Sequence, residues 1–194
     1  QLTLDRLKNK YSKQLNEDET KNFKDNLKII NNQIKQIEKL VNEFSDFARM
    51  PKPIFRENNL VDLINENIKL LKELDKSIDI TFNKNSDKIF LESDKEQIGR
   101  VFLNLIKNSI ESINQRAEND SNFNKKITIE VNENNSHIIV IIKDNGIGFS
   151  SLKENIKNIL NPYFTTKKNG TGLGLSIVNK IVNDHNGNIE FIPI

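Results

Sequence analysis

Apolar residues in the first quarter of the chain recur at alternating steps of four and three: Phe23, Leu27, Ile30, Ile34, Ile37, Val41 and Phe44, with Ala48 continuing the series. Charged and amide residues occupy the faces between, so the pattern is the seam of a coiled coil or four-helix bundle. It predicts a helix from about Asp18 to Arg49, preceded by a shorter stripe at Leu4, Leu7 and Tyr11 and a connection at Asn16, Glu17 and Asp18. At 1.5 Å per residue the helix is roughly 45 Å long, and the short first stripe is too small to cover it. Partner helices are therefore expected, as a dimer; docking within the chain is the plainer alternative. Met50-Pro51-Lys52-Pro53 ends the helix and marks a boundary, because each proline removes a donor and restricts the residue before it.

After the prolines, helical and strand-like patterns alternate. Ile54 to Arg56, Ile78 to Phe82 and Lys88 to Leu91 read as strands, and Leu60 to Leu74 as an amphipathic helix. Asp94 is placed to cap a helix running to about Arg116, with Ile98, Val101, Phe102, Leu105 and Ile106 on its buried face. Lys126 to Val131 and His137 to Lys143 form two strands joined at Asn132-Glu133-Asn134-Asn135 in a hairpin. A glycine-containing loop, a helix from about Gly172 to His185 and a strand from Asn188 to Ile192 follow. The hairpin argues against an all-parallel sheet. The expected class is α+β: a mixed sheet with helices packed on one face.

Composition narrows the function. Lys and Arg number 29 against 27 Asp and Glu, a net charge of +2, which gives no ground for a nucleic-acid or membrane-surface partner. With no Cys, disulfides and thiolate metal sites are excluded, and His137 and His185 alone are too few for a His-ligated centre. No apolar run approaches the roughly 20 residues that span a bilayer, and no signal peptide is visible. The opening on Gln1, in mid-pattern, suggests a piece of a longer protein facing the cytoplasm.

Four segments carry candidate chemistry. Asp144-Asn145-Gly146-Ile147-Gly148 follows an apolar strand; an Asp there can accept a hydrogen bond from an amino group, and the glycines permit positive φ and close approach to a planar ligand. Ordinary turns use the same residues. Gly170-Thr171-Gly172-Leu173-Gly174-Leu175 sets glycine at alternate positions before a helix, so that consecutive N–H groups and the helix N-terminus face one concavity suited to phosphate. It lacks the Lys-Ser/Thr pair of a Walker loop and does not fit the Rossmann spacing. Pro162-Tyr163-Phe164-Thr165-Thr166-Lys167-Lys168 suits a flap anchored by Phe164, with Lys167 or Lys168 over the phosphates, or else a plain surface loop. Asn104 and Asn108 lie one turn apart on the long helix beside a buried face, where unpaired amides are costly; amide oxygens are hard neutral ligands suited to Mg²⁺ held chiefly by phosphate and water.

In this combination and order, Asn104-Leu105-Ile106-Lys107-Asn108, Asp144 to Phe149, Pro162 to Lys167 and Gly170 to Val178 resemble the N, G1, F and G2 boxes of sensor histidine kinases. Pro-Tyr-Phe-Thr-Thr-Lys and Glu111 bring the chain nearest to the nitrogen-regulation kinases of the NtrY type. Many members carry Lys where Glu111 stands; Asn161 replaces an acidic residue, and Ser109 replaces Ala. The resemblance implies a Bergerat-type α/β sandwich over residues 53–194, preceded by a partial dimerising helical hairpin over residues 1–52. It implies ATP and Mg²⁺ as cofactors. Asp144 would take the adenine amino group and Asn108 the metal, with Asn104 assisting. Gly146 and Gly148 would line the base, while Phe164, Thr165, Lys167, Gly170, Thr171, Gly172, Leu173, Gly174 and Leu175 would form the flap and close over the phosphates.

The family's reaction moves the ATP γ-phosphoryl to a His on the first bundle helix and then to an Asp of a response-regulator receiver domain. His137 reads instead as a sheet or hairpin-end residue, and His185 as a helix C-terminus residue favoured by the dipole. The segment from Gln1 to Leu4 resembles the stretch just after the acceptor box, so the acceptor is expected upstream and self-phosphorylation of this chain is not. A final strand is expected beyond Ile194. Two other classes stay open: an ATPase of the same superfold, although Glu111 follows Asn108 rather than preceding it by a turn, and a nucleotide-binding module without kinase activity. A serine kinase of the mitochondrial type is more remote.

Overall fold

Residues Arg6, Lys10, 17–118, 120, 122–134, 136–149, 158–167 and 170–192 are described by a computed structural model of the chain. The early stripe at Leu4, Leu7 and Tyr11, and Asn16, Asn135 and Lys168, lie outside the described residues. The described residues fall into two compact units. One takes those of Gln1–Met50 with Thr166–Thr171, the other those of Pro51–Thr165 with Gly172–Ile194.

The first unit is built on one helix, α1 (Glu17–Ala48). Glu17 and Asp18 already belong to it and do not form the expected connection. Among the described residues, the seam of α1 stays largely uncovered: Ile30, Ile34, Ile37, Val41 and Phe44 are all exposed, Ile37 at 63%.

Alternation builds the second unit. Strands β1 (Arg56–Asn59) and β3 (Phe90–Ser93) pair antiparallel as a two-stranded sheet. Strands β2 (Asp79–Lys84), β4 (Lys126–Glu133) and β5 (Ile138–Asp144) form the main sheet in the order β2-β4-β5. β2 runs parallel to β4 and β5 antiparallel, so the sheet is mixed as expected. In β4 every second residue, Ile127, Ile129 and Val131, is fully buried, while Glu130 on the other face pairs with Lys143 at 2.9 Å. The buried face is covered by α2 (Leu60–Leu74), α3 (Lys95–Ala117) and α4 (Gly174–Asp184), whose Ile64, Leu71, Ile106, Ile113, Val178 and Ile181 complete the core. The β4–β5 hairpin closes on Asn134, whose side-chain oxygen accepts from the N–H groups of Ser136 and His137. His137 lies exposed in that turn rather than within a strand.

Local hydrogen bonds explain where elements begin. The Ile54 N–H donates to Asp94 Oδ2 at 2.9 Å, so the first strand starts at Arg56 and not at Ile54. The N–H groups of Lys88 and Ile89 go to Ser86 Oγ and Asn59 Oδ1, which delays β3 to Phe90. Gly172 has φ +69°, outside the helical region, and α4 starts at Gly174. Asn188–Ile192, expected as a strand, joins no sheet among the described residues; Phe191 stacks edge-on against Phe149 with centroids 5.8 Å apart.

Asp94 fixes the start of α3. Its Oδ1 accepts from the N–H groups of Glu96 and Gln97, as the N-cap reading expects, and its own N–H donates to His185 Nε2 at 3.0 Å. The other imidazole nitrogen, Nδ1, lies 2.8 Å from the Ile181 carbonyl oxygen, so His185 is the neutral Nδ1–H tautomer. The Phe55 ring packs edge-on against it. Burial pushes the Asp94 carboxyl upward, but the N–H groups of Ile54, Gln97 and Glu96 outweigh it and hold it below its ordinary value.

A carboxylate with a lowered folded-state pKa stabilises the fold above its unfolded value, about 3.9, and loses that contribution as pH falls through the folded value. Asp94→Ala should therefore cost about 1–2 kcal/mol at neutral pH in urea unfolding, and the gap from wild type should shrink below about pH 4. A gap that stayed constant down to that pH would show that the charge is not what stabilises this corner.

Candidate nucleotide-binding site

Asn104, Asn108, Ser112 and Arg116 follow one another at four-residue steps and so share one edge of α3. The Asn104 amide nitrogen donates to the Arg100 carbonyl at 2.8 Å, which fixes the orientation of its oxygen. That oxygen lies against Gly174, the first residue of α4, where an added Cβ would come within 3.2 Å of it. Two turns further along α3, Gly146 meets Ser112 even more closely: a Cβ there would sit 2.2 Å from Ser112 Oγ. The Ile147 N–H reaches the Ser112 carbonyl at 3.3 Å. Two glycine-bearing loops thus close on the same helix edge at both sides of Asn108.

Asp144 is the last residue of β5, two positions before Gly146, and its Oδ1 accepts from the Gly146 N–H at 3.0 Å. Asn145 holds the loop from behind: its side-chain oxygen accepts from Lys126 N–H, and its amide donates to the Asn124 carbonyl. Gly148 has φ +63° with no other residue within 4 Å of a built Cβ, so its backbone conformation, and not crowding by the protein, calls for glycine.

The opposite rim folds upon itself. Tyr163 N–H donates to the Gly172 carbonyl at 3.0 Å, and a Cβ on Gly172 would lie 2.5 Å from the Tyr163 carbonyl carbon. Phe164 N–H reaches Asn161, and Thr165 follows, exposed. Leu173 is fully buried and gives α4 no side-chain cap. The first turn of α4, Gly174 and Leu175 included, has the geometry and positive dipole end that suit an anion. Lys167, Gly170 and Thr171 belong to the other unit, where Gly170 N–H bonds to Lys167 and the Thr171 hydroxyl donates to Glu43 on α1.

Among the described residues, no group of three or more His, Asp or Glu could cage a metal. A divalent ion held here must bring most of its ligands with it, which fits one or two amide oxygens beside a phosphate chain. The four-residue spacing, continued past Asn108, is the signal that would have found Ser112 and Arg116.

The sequence profile of the family described as histidine kinase-, DNA gyrase B- and HSP90-like ATPase matches residues 93–193, just over half of the chain. An NtrY-like sensor histidine kinase of Rickettsia prowazekii is 35% identical over 189 residues, covering 97% of this chain and 30% of the relative. The nitrogen regulation protein NtrY of Azorhizobium caulinodans is 31% identical over 191 residues, covering 98% of the chain and 24% of its own length. The chain belongs to the sensor histidine kinases of the NtrY-like type. It spans less than a third of the length of either relative. Among solved structures, the catalytic domain of the histidine kinase ThkA superposes on this chain with a TM-score of 0.56 at 35% identity, covering 68% of the chain and 82% of that domain. ThkA in complex with the response regulator protein TrrA superposes with a TM-score of 0.67 at 28% identity, over 95% and 51%.

Gly146 and Gly148 separate by mechanism, the first crowded against α3 and the second left-handed in open space. Gly146→Ala should force the Asp144 loop off α3 and destabilise the chain by about 1–3 kcal/mol. Gly148→Ala meets no neighbour and should cost only the left-handed conformation, about 1–2 kcal/mol. The urea-unfolding midpoint should fall further in the first variant than in the second, and an equal fall in both would contradict the crowding at Ser112.

Proposed function

We propose that this chain is the Mg-ATP-binding kinase core of a two-component sensor histidine kinase, with a helical dimerisation segment over residues 1–52 and the ATP-binding domain over 53–194. In the whole protein the ATP γ-phosphoryl would pass to a His and then to an Asp of a response regulator. The observation that carries this reading is the placement of Asp144: a carboxylate at a strand end, oriented by the Gly146 N–H, in a loop that abuts the asparagine edge of α3. Family membership supports it, as does the solved complex of the related ThkA with a response regulator.

Asp144 would accept the adenine 6-amino hydrogen bond beside Gly146 and Gly148. Asn108, with Asn104, would supply amide oxygens to Mg²⁺, whose role when bound is to neutralise charge on the phosphates. The N-terminus of α4 would receive the phosphate chain from Gly172 to Leu175, with Phe164 and Thr165 covering it. No described helix is long and apolar enough to cross a membrane. A cytoplasmic location and a receiver-domain partner follow from the same reading.

Removing a charged acceptor from a base-recognition bond costs about 1.5–3 kcal/mol, so Asp144→Asn should weaken ATP binding about 10- to 150-fold. With radiolabelled ATP and a chain bearing the acceptor box supplied in trans, acid-labile label should appear on that chain and not on His137 or His185. ATP bound with full affinity by Asp144→Asn, or acid-labile label on this chain, would overturn the assignment.

The uncovered stripe of α1 supports a homodimer through helical bundling. Light scattering should give a concentration-dependent dimer that Ile34→Glu with Ile37→Glu converts to monomer. A monomer at high concentration without the substitutions would contradict it.

A further inference from the structure

Arg116 lies outside the four sequence boxes, at the far end of the same α3 edge that carries Asn104 and Asn108. Its guanidinium Nη1 donates to the carbonyl oxygens of both Asn145 and Gly146, at 2.9 and 3.2 Å. The guanidinium carbon sits 4.8 Å from the centre of the Phe123 ring, which gives the planar group a face to rest on. The Asn145 carbonyl belongs to the peptide whose other end is the Gly146 N–H, and that N–H donates to Asp144 Oδ1. The Gly146 carbonyl belongs to the next peptide, whose N–H, on Ile147, reaches back to Ser112. One guanidinium nitrogen thus holds the oxygen ends of two successive peptides whose hydrogen ends are aimed at Asp144 and at α3.

We propose that Arg116 is a positioning residue for base recognition: by gripping the Asn145–Gly146 peptide it sets the direction of the Asp144 carboxylate and so sharpens the preference for a 6-amino purine. This rests on the reading of Asp144 as the acceptor for that amino group. A cation at the carbonyl end also polarises the peptide, which strengthens the N–H that Gly146 offers to the carboxylate. Asn145 cannot do the same through its side chain, because that group is bound on the other side, to Lys126 and Asn124. A Lys at this position would keep the charge but present a compact ammonium without the flat face that rests on Phe123.

The test compares Kd values for ATP and inosine triphosphate, which carries a 6-oxo group in place of the amino group and so offers Asp144 an acceptor where adenine offers a donor. In the wild-type chain ATP should bind about tenfold or more tightly than inosine triphosphate. In Arg116→Gln the ATP Kd should rise several-fold while that for inosine triphosphate stays nearly constant, so the ratio falls. Arg116→Lys should restore part of the ratio, and Phe123→Leu should lower it slightly. Arg116 is exposed, so the urea midpoint should move little in each variant, which keeps folding apart from recognition. An unchanged ratio in Arg116→Gln, alongside its collapse in Asp144→Asn, would overturn the role of Arg116 and leave the nucleotide reading standing. Equal weakening of both nucleotides would also overturn it, by making Arg116 merely structural. A wild-type chain without preference between them would remove the reading of Asp144 itself, and this inference with it.

Discussion

The contact on which the second unit depends is the approach of bare backbone to one edge of α3. Gly146 at Ser112 and Gly174 beside Asn104 leave no room for a side chain of any size at the first and little at the second. Two of the groups proposed to meet a ligand are positioned by those contacts: Asp144 two residues before one glycine, and the start of α4 at the other. The adjoining face of α3 supplies Ile98, Val101, Phe102, Ile106 and Ile113 to the core, which prevents the helix from rolling. Asp94 stops it from sliding, because its carboxylate caps the helix and ties down Ile54 while its N–H meets His185. A helix held along its apolar face and at its first turn is a firm surface against which two loops can set their geometry.

Much of this was legible in the sequence because it depends on local patterns. The bounds of the helix from Leu60 to Leu74, the Asp94 cap, the hairpin before Asp144 and the one-sided mixed sheet all follow from periodicity, a side-chain cap and asparagine turn chemistry. The displaced strands were not legible, because the N–H groups of Ile54 and Ile89 are taken by Asp94 and Asn59, residues 40 and 30 positions away. Nor was the late start of α4, which depends on the backbone of Gly172 pressed against Tyr163. A strand at Asn188–Ile192 has the right alternation but no partner among the described residues, and alternation without a ladder does not make a strand.

The candidate site was read in the sequence through its glycines, Asp144 and the two asparagines, since those residue types announce their backbone and ligand chemistry. Ser112 and Arg116 announced nothing by type. Their part emerges only when the four-residue spacing on α3 is set against the path of the Asp144 loop. The grouping of Lys167, Gly170 and Thr171 with α1 is likewise beyond any local signal, because it hangs on Thr171 meeting Glu43 across 128 positions of chain.

The central claim is that Asp144 and the asparagine edge of α3 form one nucleotide pocket. A crystal structure of the chain with Mg²⁺ and a non-hydrolysable ATP analogue tests it most directly. The adenine amino group should lie on Asp144, the metal beside Asn108 and the phosphates at the first turn of α4. A nucleotide seated elsewhere, or a base whose amino group turns away from Asp144, would contradict it.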